Sequence, residues 1–142
     1  MPADITSPEI QAFATGFPIT LLHFAMTLVL LIVGAGVYIL LTPHKEIRLI
    51  REGNVAAALS LGGALVGLAV PLAVSLGAST SAIEIVLWGV ATIAVQLLVF
   101  RLIEVVLHSL PKRIQEGEIA AATLLVGAKL STAMILAAAM GG

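Results

Sequence analysis

The chain is predicted to be all-α: an integral membrane four-helix bundle made of two tandem helical hairpins, with both termini outside. Three observations predict this. It is 60% hydrophobic and 11% charged, with a mean hydropathy of +1.15, whereas soluble domains carry about 25% charged residues. Four apolar runs are each long enough to cross a hydrocarbon core of about 30 Å. The cations gather beside two of the connections and avoid the third.

The first run spans about Phe13 to Leu41 after a short acidic tail. Pro18 is placed in its first helical turn, where a missing N–H costs nothing. No basic residue precedes the run, so no signal peptide is read and the first span is expected to be its own insertion signal. The run stops at Thr42-Pro43-His44. Lys45 to Arg51 mixes apolar and basic residues and reads as a short turn of helix at the membrane surface. Asn54 is the expected N-cap of a second span lasting to about Gly77. Gly63, Gly67 and Pro71 recur every fourth residue of that span and share one face, where another helix can approach closely. Pro71 is expected to kink its outer half. An uncharged turn, Gly77 to Ser81, leads to a third span over about Ala82 to Leu107. Leu110-Pro111-Lys112-Arg113 is a second basic connection, and the fourth span runs from about Glu118 to Met140.

Of the seven Lys and Arg, six lie in or beside the two basic connections: Lys45, Arg48, Arg51, Arg101, Lys112 and Arg113. The positive-inside rule assigns those connections to the cytoplasm and both termini to the outside. The chain reads as a single membrane domain over 1–142 that repeats itself at an offset of 64. Ile50 to Ala58 aligns with Ile114 to Ala122, His44 with His108, and Gly63 with Gly127. The first unit covers about 17–78 and the second about 82–142. Two-span units keep one orientation, so an axis along the membrane normal should relate them. Both hairpins are expected to pack through their second helix.

These residues resemble the domain-of-unknown-function 350 family of small bacterial inner-membrane proteins. The matching pieces are Thr42-Pro43-His44-x-Glu46-x-x-Leu49-Ile50, Asn54-x-Ala56-Ala57, Gly63-x-x-x-Gly67-x-x-x-Pro71-Leu72, Trp88-Gly89 and Gln96-Leu97-Leu98-Val99-Phe100. The resemblance covers roughly Phe17 to the end. It implies four helices in two tandem pairs in the plasma membrane, and no established activity, catalytic residue or cofactor. Lys129 departs from the pattern, interrupting small residues in the last helix.

Lys129 is the sharpest candidate for a functional residue. It lies near the middle of its span, where a lysine costs about 2.5–3.5 kcal/mol on insertion scales. The matching depth on the third span falls near Gln96, so Lys129 and Gln96 form the candidate intramembrane polar site. The alternative is a lysine tucked between subunits or reaching a headgroup in a thinned bilayer. A purely structural Lys129 would make Lys129→Met neutral or stabilising. The positions equivalent to this pair in the first unit are Leu65 and Ile32, so any polar site is expected in the second hairpin alone. Gly63, Gly67, Pro71 and Gly127 are the packing candidates. His44 and Glu46 form a membrane-end motif, read as helix capping because two residues cannot define a metal site. Arg101 and Glu104 are one turn apart and should pair. His23 is isolated, and Glu84 lies near the outer surface beside Trp88.

There is no cysteine, which removes thiolate chemistry. No Walker, zincin, nucleophile-elbow or dinucleotide motif appears, so neither an enzyme nor a cofactor is expected, and a net charge of −1 suggests no nucleic acid. Two functions fit. One is an oligomeric membrane module that passes an ion or small solute. The other is a scaffold or anchor whose basic face, Lys45, Arg48, Arg51, Lys112 and Arg113, binds lipid or recruits a cytoplasmic partner protein. The bilayer and further copies of the chain are the expected partners.

Overall fold

The structure is a computed structural model that describes residues 7–42 and 45–142. Pro43 and His44 lie outside the described residues, and so does the capping role expected of His44. All regular elements among the described residues are helical: α1 (Pro8–Leu41), α2 (Glu46–Arg51), α3 (Val55–Ala78), α4 (Ala82–Val106), α5 (Ser109–Gln115) and α6 (Ile119–Gly141). Four of them, α1, α3, α4 and α6, are long and apolar enough to cross a membrane.

The start of α1 corrects the sequence reading. Ser7 caps the helix by accepting from the Ile10 amide at 3.4 Å, and Pro8 follows in the first turn. Pro18 therefore sits inside a helix of 34 residues. A serine cap followed by proline is a strong start signal, and it overrides the later proline. At ~1.5 Å per residue α1 is about 51 Å long, well beyond a hydrocarbon core of about 30 Å. α3 runs unbroken through Pro71.

The two basic connections are elbows, each holding a short helix. The second connection, expected to be without a helix, holds α5; its Pro111 falls in the first turn, where proline is tolerated. Both elbows close alike. Gly53 and Gly117 have φ of +87° and +84°, a left-handed conformation that glycine adopts without a Cβ penalty. The amides of Gly53 and Asn54 donate to Ile50 and Leu49 carbonyls at 3.0 and 2.9 Å. Those of Gly117 and Glu118 donate to Ile114 and Arg113 at 2.9 and 3.0 Å. Asn54 caps α3 by accepting from the Ala57 amide at 3.0 Å. Its Nδ2 also donates to the Ile114 and Gln115 carbonyls at 3.1 and 3.2 Å, clipping one elbow to the other.

α3 and α6 make the most extensive pairing, while α1 packs on α3 and α4. α3 and α6 run in the same direction, because Gly63 faces Val126 and, toward the far ends, Val74 faces Gly141. Ala56, Ala57, Ala121 and Ala122 are all buried near their starts, and such small side chains let backbones come close. A Cβ on Gly63 would lie 2.5 Å from Val126 Cγ2, and one on Gly67 would lie 2.7 Å from Phe100 Cζ. Gly67 thus makes room for a ring rather than for a backbone. Gly127, also expected at a packing face, is exposed and meets nothing within 4 Å. The buried face of α6 carries Ala121, Leu125, Lys129, Ala133 and Ala137, and position 127 lies about half a turn away from it. Of α1, only Gly34 and Tyr38 are buried.

Candidate functional site

Lys129 occupies the middle of the buried α6 face and is 0% exposed. Helical side chains lean toward the N-terminus of their own helix, so the lysine runs back toward the elbow end of the bundle. Its Nζ donates to Glu104 Oε1 at 2.9 Å and to the Tyr38 hydroxyl at 2.8 Å. Glu104 stands near the end of α4 and Tyr38 one turn before the end of α1. The ammonium also lies 4.6 Å from the Tyr38 ring centroid and 5.1 Å from that of Phe100, where ring faces attract a cation. The two rings meet edge to face at 6.0 Å.

The network continues through Tyr38. Its hydroxyl donates to Glu46 Oε1 at 3.3 Å, and Ser60 Oγ donates to the same oxygen at 3.4 Å. Arg101 Nη1 reaches the other Glu104 oxygen at 3.4 Å; the arginine side chain is 50% exposed and that of Glu104 only 7%. Tyr38, Glu46, Ser60, Glu104 and Lys129 are all buried, and they come from α1, α2, α3, α4 and α6. Charges are taken out of water only at a cost, and removal of one partner of a buried pair exposes that cost in full. Beside Glu104 a gap of about 10 Å³ is lined by Tyr38, Thr42, Phe100 and Arg101, close to the room one water requires.

This arrangement can hold positive charge between two carboxylates, and it can pass a proton among amine, phenol and carboxylate groups at hydrogen-bond distance. Among the described residues no group of three or more His, Cys, Asp or Glu is placed to hold a metal ion.

The candidates from sequence are distributed unevenly. Lys129 is in the network, but Gln96 is not its hydrogen-bond partner: Gln96 is 0% exposed and neither its Nε2 nor its Oε1 is hydrogen-bonded. Thr92 meets Met140, and Leu102 and Ile103 lie beside Ala128. Lys129 therefore starts level with the Leu102 turn of α4, and Gln96 lies more than a turn farther from the elbows; the lean of the lysine widens that separation. The polar site also departs from the expectation of one confined to the second hairpin, since Tyr38, Glu46 and Ser60 precede the turn at Ser79–Ser81. Glu46 lies buried beneath Tyr38 and Ser60. Arg101 and Glu104 pair as expected, although Glu104 also serves Lys129. Gly63, Gly67 and Pro71 are buried along one face of α3. Within the basic face, Arg48 pairs with Glu52 at 3.0 Å and Arg113 with Glu118 at 2.6 Å. That hydrogen bond holds the Glu118 carboxyl below the usual carboxylate range and raises the Arg113 guanidinium.

Tyr38 and Ser60 were missed, as was the Glu104–Lys129 pair. One signal could have found the pair: a buried lysine calls for a carboxylate. Glu84 and Glu104 are the only acidic residues within α3, α4 and α6. Glu84 is occupied at the opposite end, accepting from the Thr80 amide at 2.7 Å.

The chain belongs to the family described as Domain of Unknown Function (DUF350), whose model matches residues 12–140. It is 30% identical over 118 residues to the UPF0719 inner membrane protein YjfL of Escherichia coli (strain K12), covering 83% of this chain and 89% of that protein. The protein of the same name from Escherichia coli O157:H7 matches equally. No solved structure matches.

Proposed function

We propose that this DUF350 member is a multi-pass inner-membrane protein that assembles as a homo-oligomer and passes a small ion. The observation that carries this reading is the buried network of Lys129, Glu104, Tyr38 and Glu46. Intramembrane ionisable groups are costly and usually mark ion or proton pathways. A dry structural core would hold these helices without them.

The inner-membrane location is supported by the name of the Escherichia coli relatives and by four apolar helices. The elbow end is assigned to the cytoplasm and both termini to the outside, because the basic residues cluster at the elbows. Two tandem pairs are proposed on the like closure of the two elbows. The passage is proposed to lie between protomers. Beyond Gln96, toward the 78–82 turn, the buried face of α4 offers only Thr92 as a polar side chain, and its hydroxyl contacts Met140 sulfur at 3.2 Å. No enzymatic step is proposed.

The test is purified protein in sealed vesicles carrying an internal dye for pH or K⁺, under an imposed gradient. Wild-type protein should dissipate the gradient faster than empty vesicles, and Lys129→Met/Glu104→Gln should not. Equal rates for wild-type and empty vesicles would overturn the reading.

A scaffold role is the second reading. Lys45, Arg51 and Lys112 are exposed or half-exposed and have no ion-pair partner among the described residues. Such cations attract anionic lipid at about 1 kcal/mol each. Under this reading, changing all three to Glu should abolish stabilisation by anionic lipid while gradient dissipation stays at background.

A further inference from the structure

The head of Lys129 sits in surroundings that would suit a free cation. A carboxylate oxygen lies at 2.9 Å and a phenol oxygen at 2.8 Å. Two aromatic faces lie at 4.6 and 5.1 Å, and a second carboxylate, Glu46, is one hydroxyl away through Tyr38. The ammonium stands in the position that a K⁺ or a small primary ammonium ion would take. We propose that this pocket is a monovalent-cation site and that Lys129 is its tethered occupant, displaced when a free cation enters.

The chemistry selects the charge and size. Calcium demands six to eight oxygens at about 2.3–2.6 Å, and magnesium a near-ideal octahedron. Here the ring faces of Tyr38 and Phe100 occupy positions that further oxygens would need. Ring faces stabilise weakly hydrated, singly charged ions instead. Phe100 is held in place because Gly67 leaves room for its ring, so the size of the pocket is set by α3 as well as by the lysine. A gap of about 10 Å³, lined by Tyr38, Thr42, Phe100 and Arg101, adjoins Glu104.

The inference deepens the proposed ion passage by naming the class of ion, and it rests on that reading for its physiological meaning. Binding and passage are read by different assays, so either can fail alone. Lys129→Ala removes the tethered charge and leaves its space open. The full-length variant in detergent is titrated with methylammonium chloride, KCl and N-methylglucamine chloride at matched ionic strength, and its Tm is followed. Methylammonium and K⁺ should each raise Tm with the logarithm of concentration above Kd, by about 4 °C at ten times Kd, while the bulky N-methylglucamine should not. Lys129→Ala/Glu104→Gln should show no such selectivity, and wild-type protein, in which the lysine must first be displaced, should show it only at higher cation concentration. If Lys129→Ala is recovered folded only in methylammonium or K⁺, that selective recovery is the same positive result. Equal response to all three salts would mean screening alone and would overturn the proposal. Loss of the variant in every salt, with Lys129→Met/Glu104→Gln still folded, would overturn it too.

Discussion

Lys129→Met should destabilise the protein, by about 3 kcal/mol. The change removes a fully buried ammonium and refills its volume with an apolar chain. With a neutral partner it would relieve the cost of an intramembrane lysine, about 2.5–3.5 kcal/mol. The partner is instead a carboxylate 2.9 Å away whose side chain is 7% exposed. Removing the lysine then leaves an anion in the bundle, and breaking such a pair typically costs about 3–5 kcal/mol. Arg101, at 3.4 Å and half exposed, compensates part of this, so the lower end of the range applies. For a chain of this size the loss corresponds to a Tm drop of roughly 9 °C. Glu104→Gln added to Lys129→Met should recover most of it, giving a coupling of about 2–3 kcal/mol in a double-mutant cycle. Thermal unfolding of the four proteins in one detergent measures this. If Lys129→Met is as stable as wild type, or the two changes are simply additive, the pair does not contribute as described.

The glycines separate by what faces them. Gly63→Ala should cost about 1–3 kcal/mol through overpacking against Val126, whereas Gly127→Ala, open on all sides, should be neutral or gain up to about 1 kcal/mol in helix propensity; paired Tm measurements decide this. Because the chain has no native cysteine, single cysteines at Ser79 and Arg113 report topology cleanly. They should be labelled from opposite sides of the membrane, and labelling from one side would refute the orientation. The Glu118 carboxyl, held low by its hydrogen bond to Arg113, contributes stability that is present above the ordinary carboxylate pKa and is lost as pH falls through its own lower value. NMR titration should place that midpoint below the usual Glu range and return it there in Arg113→Ala.

The four spans, the basic elbows, the Asn54 cap and the Gly63–Pro71 face were all legible in the sequence. Each follows from a local rule: length against bilayer thickness, satisfaction of the backbone within a helix, or spacing along one helix. The early start of α1 is equally local, written in Ser7-Pro8, but the apolar run that marks the span begins only later. The partners of Lys129 were of a different kind. These spans are apolar nearly all round, so no polar face announces which azimuth turns inward, and depth alone pointed to Gln96. Only the packing of α4 against α6, and of α1 against α3 and α4, brought Tyr38 and Glu104, 91 and 25 residues away, to the lysine head. The tilt of a helical side chain toward its own N-terminus then carried the ammonium down to them. Depth along a span is a property of one helix, whereas the contact that neutralises a buried charge is decided by how several helices turn toward one another.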